Sequence, residues 1–90
     1  MAEFGVRSHL VHPVSAAQIR NLLLTIPSWA RILPNISDNT IFQESGMDSL
    51  TFLELVEELQ NASGLEISDD DVAGLSTIAD TVRYLNRRLQ

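Results

Sequence analysis

Ser49 is the residue in this chain best placed to do chemistry. It sits in Gly46-Met47-Asp48-Ser49-Leu50, directly ahead of Thr51-Phe52-Leu53-Glu54-Leu55-Val56-Glu57-Glu58-Leu59. Asp48 is a strong N-cap residue, because its carboxylate can accept hydrogen bonds from amides that a first helical turn leaves unpaired. Ser49 is then the first helical residue. A group esterified to its oxygen projects from the positive end of the helix dipole, where a phosphate is favoured. A serine nucleophile needs more: a base within reach and a third group to orient that base. The only histidines, His9 and His12, lie in a segment with no helical or strand period, and no Gly-x-Ser-x-Gly elbow is present. Ser49 therefore reads as a substrate for a modifying enzyme, with simple helix capping as the plain alternative, and no catalytic residue is expected. His9 and His12 have H-x-x-H spacing without a third ligand, so no metal site is expected either.

The elements that must position Ser49 follow from hydrophobic spacing. Phe52, Leu55, Val56 and Leu59 fall at i, i+3, i+4 and i+7, which predicts a helix over about residues 49–62 with that stripe buried. Gly64 is placed to end it. Leu50 and Leu53 lie on another side with Glu54 and Glu57, a mixed acidic and apolar face that, with Asp48, suits a protein partner. Upstream, Ser15-Ala16-Ala17-Gln18 is a capping-box pattern, and Ile19, Leu22, Leu23 and Ile26 continue it into a helix over about residues 16–26. Pro27 should end or kink that helix, with a further short turn over residues 28–33. Trp29 is expected to cover the core. Residues 34–47 read as a long loop pinned by Ile36, Ile41 and Phe42, with Gly46 freeing the backbone to aim Ser49 outward. Ser68 opens a short acidic helical turn, Asp69-Asp70-Asp71-Val72-Ala73. Ser76 caps a last helix whose inward stripe is Ile78, Val82, Leu85 and Leu89.

The expected fold is all-α: a small bundle of three main helices plus one short helix, with a long loop between the first and second. Residues 1–13 read as a flexible arm, of which Met1-Ala2-Glu3-Phe4 is compatible with an appended leader, and residues 14–90 as the domain. Ninety residues with 44% hydrophobic content support one small core. The absence of cysteine excludes a disulfide framework and fits a reducing cytoplasm. The formal charge of −6 argues against nucleic acid and against an anionic membrane, and for a partner with a basic surface. A monomer is expected.

On the Gly-x-Asp-Ser-Leu motif the chain resembles the acyl and peptidyl carrier proteins. Glu54-Leu55 resembles their Glu-Leu pair, Glu66-Ile67-Ser68-Asp69 their Glu-Ile-Pro-Asp turn, and the stretch from Thr77-Ile78 to Tyr84-Leu85 their last helix. The similarity runs without gaps from about Asp38 to Leu89, and more loosely back to about Val14. The resemblance implies that a phosphopantetheinyl transferase moves 4′-phosphopantetheine from coenzyme A to Ser49. The arm's thiol would then hold an acyl intermediate as a thioester for the acyl-loading and acyl-processing enzymes of a synthase. It also implies docking through Asp48, Leu50, Leu53, Glu54 and Glu57. A sheltered acyl chain would lie between helices lined by Phe52, Val56, Leu59, Ile78 and Val82. Thr51, Glu57 and Ser63 depart from the common acyl-carrier pattern, and Ala62-Ser63-Gly64-Leu65 looks more like polyketide-synthase carriers. The expectation is therefore a specialised carrier for polyketide, secondary-metabolite or fatty-acid-like biosynthesis. Its alternatives are an aminoacyl-loaded peptidyl carrier and an unmodified helical interaction module.

Overall fold

The computed structural model describes residues 10–90. These residues form five α-helices and no strand. The first, α1 (Ala16–Leu23), starts where Ser15 Oγ accepts from the Gln18 amide at 3.3 Å, and it buries Ile19, Leu22 and Leu23. It stops short of the expected residue 26. The amides of Thr25 and Ile26 bond to the carbonyls of Leu22 and Leu23, tightening the chain out of α-geometry. Pro27 then opens a new helix, α2 (Pro27–Ile32), at a position where a missing N–H costs nothing. The expected short turn after Pro27 is thus a helix in its own right. With α4 (Asp69–Val72) the described residues hold two short helices, where one was expected.

The long segment between α2 and the next main helix holds two 3₁₀ turns, Leu33–Asn35 and Phe42–Ser45. Ile36 and Phe42 anchor it in the core as expected, whereas Ile41 is 40% exposed. Arg20 of α1 ties this segment down: its Nε reaches Asp38 Oδ1 at 3.0 Å and its Nη2 reaches the Ile36 carbonyl at 3.0 Å. The Asp38 carbonyl in turn accepts from the Ala79 amide at 2.9 Å, joining the loop to the last helix.

The helix that carries Ser49, α3 (Ser49–Ser63), ends at Gly64, whose φ of 74° is the left-handed conformation that glycine adopts without strain. Leu55 and Leu59 are fully buried and Val56 nearly so, while Phe52, expected in the same stripe, is only half-buried. The last helix, α5 (Ile78–Leu89), is capped by Thr77 and not by Ser76: Thr77 Oγ1 accepts from the Asp80 amide at 2.9 Å. The Ser76 carbonyl instead accepts from the Phe42 amide at 2.8 Å. Ile78 and Leu85 are fully buried; Val82 and Leu89 are half-buried against the same core.

The segment expected to be an arm is held from Leu10 onward. Leu10 is buried, and its amide donates to the Ala62 carbonyl at 3.4 Å. Asn86 clamps Val14 through both backbone groups, at 2.6 and 3.0 Å. Gln18 bonds to Val11 and Pro13 rather than turning back to close the capping box. His9 lies outside the described residues, and His12 is exposed. Among the described residues no three His, Asp or Glu side chains are grouped to hold a metal, and no helix is long and apolar enough to cross a membrane.

Candidate functional site

Ser49 is exposed and occupies the first position of α3, as its sequence setting predicts. Asp48 Oδ1 accepts from the Thr51 amide at 2.9 Å and so fixes where the helix begins. Hydrogen bonding from Thr51 stabilises the ionised carboxylate and lowers the Asp48 pKa below its ordinary value. Gly46, with φ 88°, ends the Phe42–Ser45 turn and lets the chain swing into the cap. Ser49 therefore stands clear of the fold while the backbone on both sides of it is fixed.

Three aromatic rings lie beneath this corner. Trp29 and Phe42 meet edge to face with centroids 5.2 Å apart, and Phe42 and Phe52 lie 6.2 Å apart. Trp29, which the sequence suggested only as core cover, is fully buried and donates its indole N–H to the Thr51 carbonyl at 2.8 Å. It thereby holds the first turn of α3. No sequence pattern signalled that contact, because it joins elements separated by the whole intervening loop. Phe42, Gln43, Met47, Asp48, Ser49 and Phe52 surround a groove of about 190 Å³ at the same corner.

The docking candidates divide into two groups. Leu50 and Leu53 are 67% and 57% exposed, and Glu57 is also exposed on the same face. Glu54 is different: it is half-buried and accepts a 2.6 Å hydrogen bond from Ser28 Oγ, so its carboxylate fastens α3 to α2. Asp48 is exposed but engaged in capping. Of the acidic cluster at α4, Asp69 and Asp70 are exposed, whereas Asp71 accepts from Tyr84 of α5 at 2.8 Å.

An exposed hydroxyl at a helix start, with an apolar groove alongside, suits a phosphate-linked organic arm: the helix end favours the phosphate and the groove the carbon chain. The comparisons with known proteins agree with that chemistry. The chain is 40% identical over 67 residues to cytosolic 10-formyltetrahydrofolate dehydrogenase of Mus musculus. It is 41% identical over 66 residues to the Pongo abelii protein of the same name, and 39% identical over 66 residues to the mitochondrial protein of Mus musculus. These matches cover about 70% of this chain, which spans about 7% of the length of those relatives. No solved structure gives a significant match. The family described as "Phosphopantetheine attachment site" matches residues 17–85, so the chain belongs to that family, whose cofactor is covalently attached 4′-phosphopantetheine.

Proposed function

We propose that Ser49 is the attachment residue and that the domain is a non-catalytic carrier. The observation that carries this reading is the exposed Ser49 hydroxyl, fixed at the first position of α3 by the Asp48 cap, inside the family match. Loading by a phosphopantetheinyl transferase would join Ser49 Oγ to the phosphorus next to the pantetheine of coenzyme A. The bond from that phosphorus to the nucleotide half breaks, adenosine 3′,5′-bisphosphate leaves, and the serine proton passes to a base of the transferase. The arm's thiol then holds an acyl group as a thioester. Tethering raises the cargo's concentration at each partner site without tight binding.

Two observations bear on the cargo. The relatives' printed names identify a formyl-bearing substrate and a dehydrogenase, and neither feature points to polyketide or fatty-acid assembly. Leu59 and Ile78, the innermost positions of the expected acyl shelter, are fully buried in the core cluster, so a long chain could enter only by displacing them. We therefore favour a short acyl cargo, with the formyl group as the first candidate. Leu50, Leu53 and Glu57 form the face that would meet partner enzymes. An aminoacyl cargo is the rival within this class.

Intact mass after incubation with coenzyme A and a broad-specificity phosphopantetheinyl transferase tests the reading. A gain of one phosphopantetheinyl group, absent from folded Ser49→Ala, is expected. A folded chain that gains nothing would instead support the unmodified interaction module.

A further inference from the structure

We propose that the groove beside Ser49 receives the root of the arm, seating its pantoyl portion against Met47 and Phe52. This rests on the reading of Ser49 as the attachment residue and adds where the arm lies. Ser49 itself lines the groove, so the occupant is tethered at its edge and needs little intrinsic affinity to populate it. The lining is suited to a branched hydrocarbon. Met47 and Phe52 are half-buried, packed against the core on one side and leaving apolar surface on the other. The floor is rigid, because Phe42 is 1% exposed and locked against Trp29 at 5.2 Å. Met47 adds an adaptable thioether chain able to close over an irregular shape.

The successive groups of the arm each find a residue of matching chemistry in the lining. The phosphodiester comes first and stays at the start of α3, where the helix dipole favours it. Next comes a carbon bearing two methyl groups, the most apolar branch of the arm, for which Met47 and Phe52 are the half-buried apolar side chains of the lining. A hydroxyl and an amide follow, and exposed Gln43 offers both a donor and an acceptor on that side. In this proposal the groove, of about 190 Å³, takes the pantoyl branch. The distal amide, thiol and cargo stay outside. The groove thus restrains only the root of the arm and leaves the thioester in solvent.

The test uses the holo chain, with single loading at Ser49 first established by mass, and an arm carrying ¹³C-labelled methyl groups. Nuclear Overhauser contacts are expected from the arm's two methyls to the Met47 methyl and the Phe52 ring, with apo-to-holo shifts concentrated at Gln43, Met47 and Phe52. In holo Met47→Gln the remaining contact to the Phe52 ring should weaken severalfold, and the two arm-methyl resonances should move toward their positions in free 4′-phosphopantetheine. A correctly loaded wild-type chain whose arm methyls contact neither residue would overturn the groove assignment and leave the attachment reading intact. Contacts to Val82 or Leu89 of α5 would overturn it in the same way. Failure to load Ser49 would instead remove the attachment reading on which this one stands.

Discussion

The indole nitrogen of Trp29 lies 2.8 Å from the carbonyl oxygen of Thr51, two residues past Ser49. This bond runs from the buried face of α2 to the first turn of α3, so the Ser49 corner is held from below as well as by its own cap. Trp29→Phe keeps a ring but loses the donor and leaves a small void. The expected cost is about 1–3 kcal/mol, a hydrogen bond plus partial loss of packing. Urea unfolding followed by circular dichroism measures it. A cost below about 0.3 kcal/mol would mean that Trp29 does not brace α3.

Glu54 makes a second contact of this kind. Its carboxylate accepts from Ser28 Oγ at 2.6 Å, while Leu53 beside it is 57% exposed. The two neighbours should therefore behave differently on substitution. Ser28→Ala and Glu54→Ala, combined in a double-mutant cycle, should show a coupling of about 0.5–1.5 kcal/mol. Leu53→Ser should change stability by less than about 0.5 kcal/mol while weakening use of the holo domain by a partner enzyme. Additive Ser28 and Glu54 effects would return Glu54 to the free docking face.

These contacts also show where sequence reasoning reached its limit. The bounds of α3 were legible, because Asp48 and Gly64 mark its ends by local chemistry and Leu55, Val56 and Leu59 mark its buried side. Ser49 at its first position followed directly. The bundle's helical character was legible for the same reason: each main helix carries its own apolar period. Periodicity could not choose between Ile41 and Phe42, adjacent apolar residues of which only Phe42 is buried. Nor could it show that Gln18 binds Val11 or that Asn86 reaches back 72 residues to Val14, since those bonds exist only after the helices have packed. The same holds for Glu54: helical spacing places it on the face of Leu50 and Leu53, and spacing carries no information about Ser28.

Asp48 makes the start of α3 sensitive to acid. Its pKa is lowered in the folded chain, first by the hydrogen bond from the Thr51 backbone amide, so folding favours the ionised form. Its contribution is present above the unfolded carboxylate value of about 4 and is lost as pH falls through the lower folded value. Asp48→Ala should destabilise the domain at pH 7, and the gap between it and wild type should close on acidification below about pH 4. Asp48→Asn keeps a capping oxygen without a titrating charge, so it should retain much of the stability and lose that part of the pH dependence. Chemical denaturation across this range gives the comparison, and an Asp48→Ala gap unchanged down to the lowest accessible pH would contradict the cap's ionic character.

Tyr84 gives the opposite sign at the alkaline end. It is the only tyrosine, so tyrosinate absorbance reports it alone. Burial raises its pKa first, and its hydrogen bond to Asp71 Oδ2 at 2.8 Å raises it further; the nearby charge of Arg88 acts the other way. The folded chain therefore favours the neutral phenol. The resulting stability is fully present below the unfolded value of about 10 and is lost as pH rises through the folded one. The titration midpoint of the folded protein should lie above the ordinary tyrosine value. Asp71→Asn should bring it down by weakening the acceptor, and should also loosen α4, because this contact joins Asp71 to α5. Arg88→Gln should move the midpoint up, since it removes the guanidinium that stabilises tyrosinate and sits 5.5 Å from the ring centroid. Opposite shifts for these two variants are the signature of a phenol held between Asp71 and Arg88; shifts in the same direction would break that assignment.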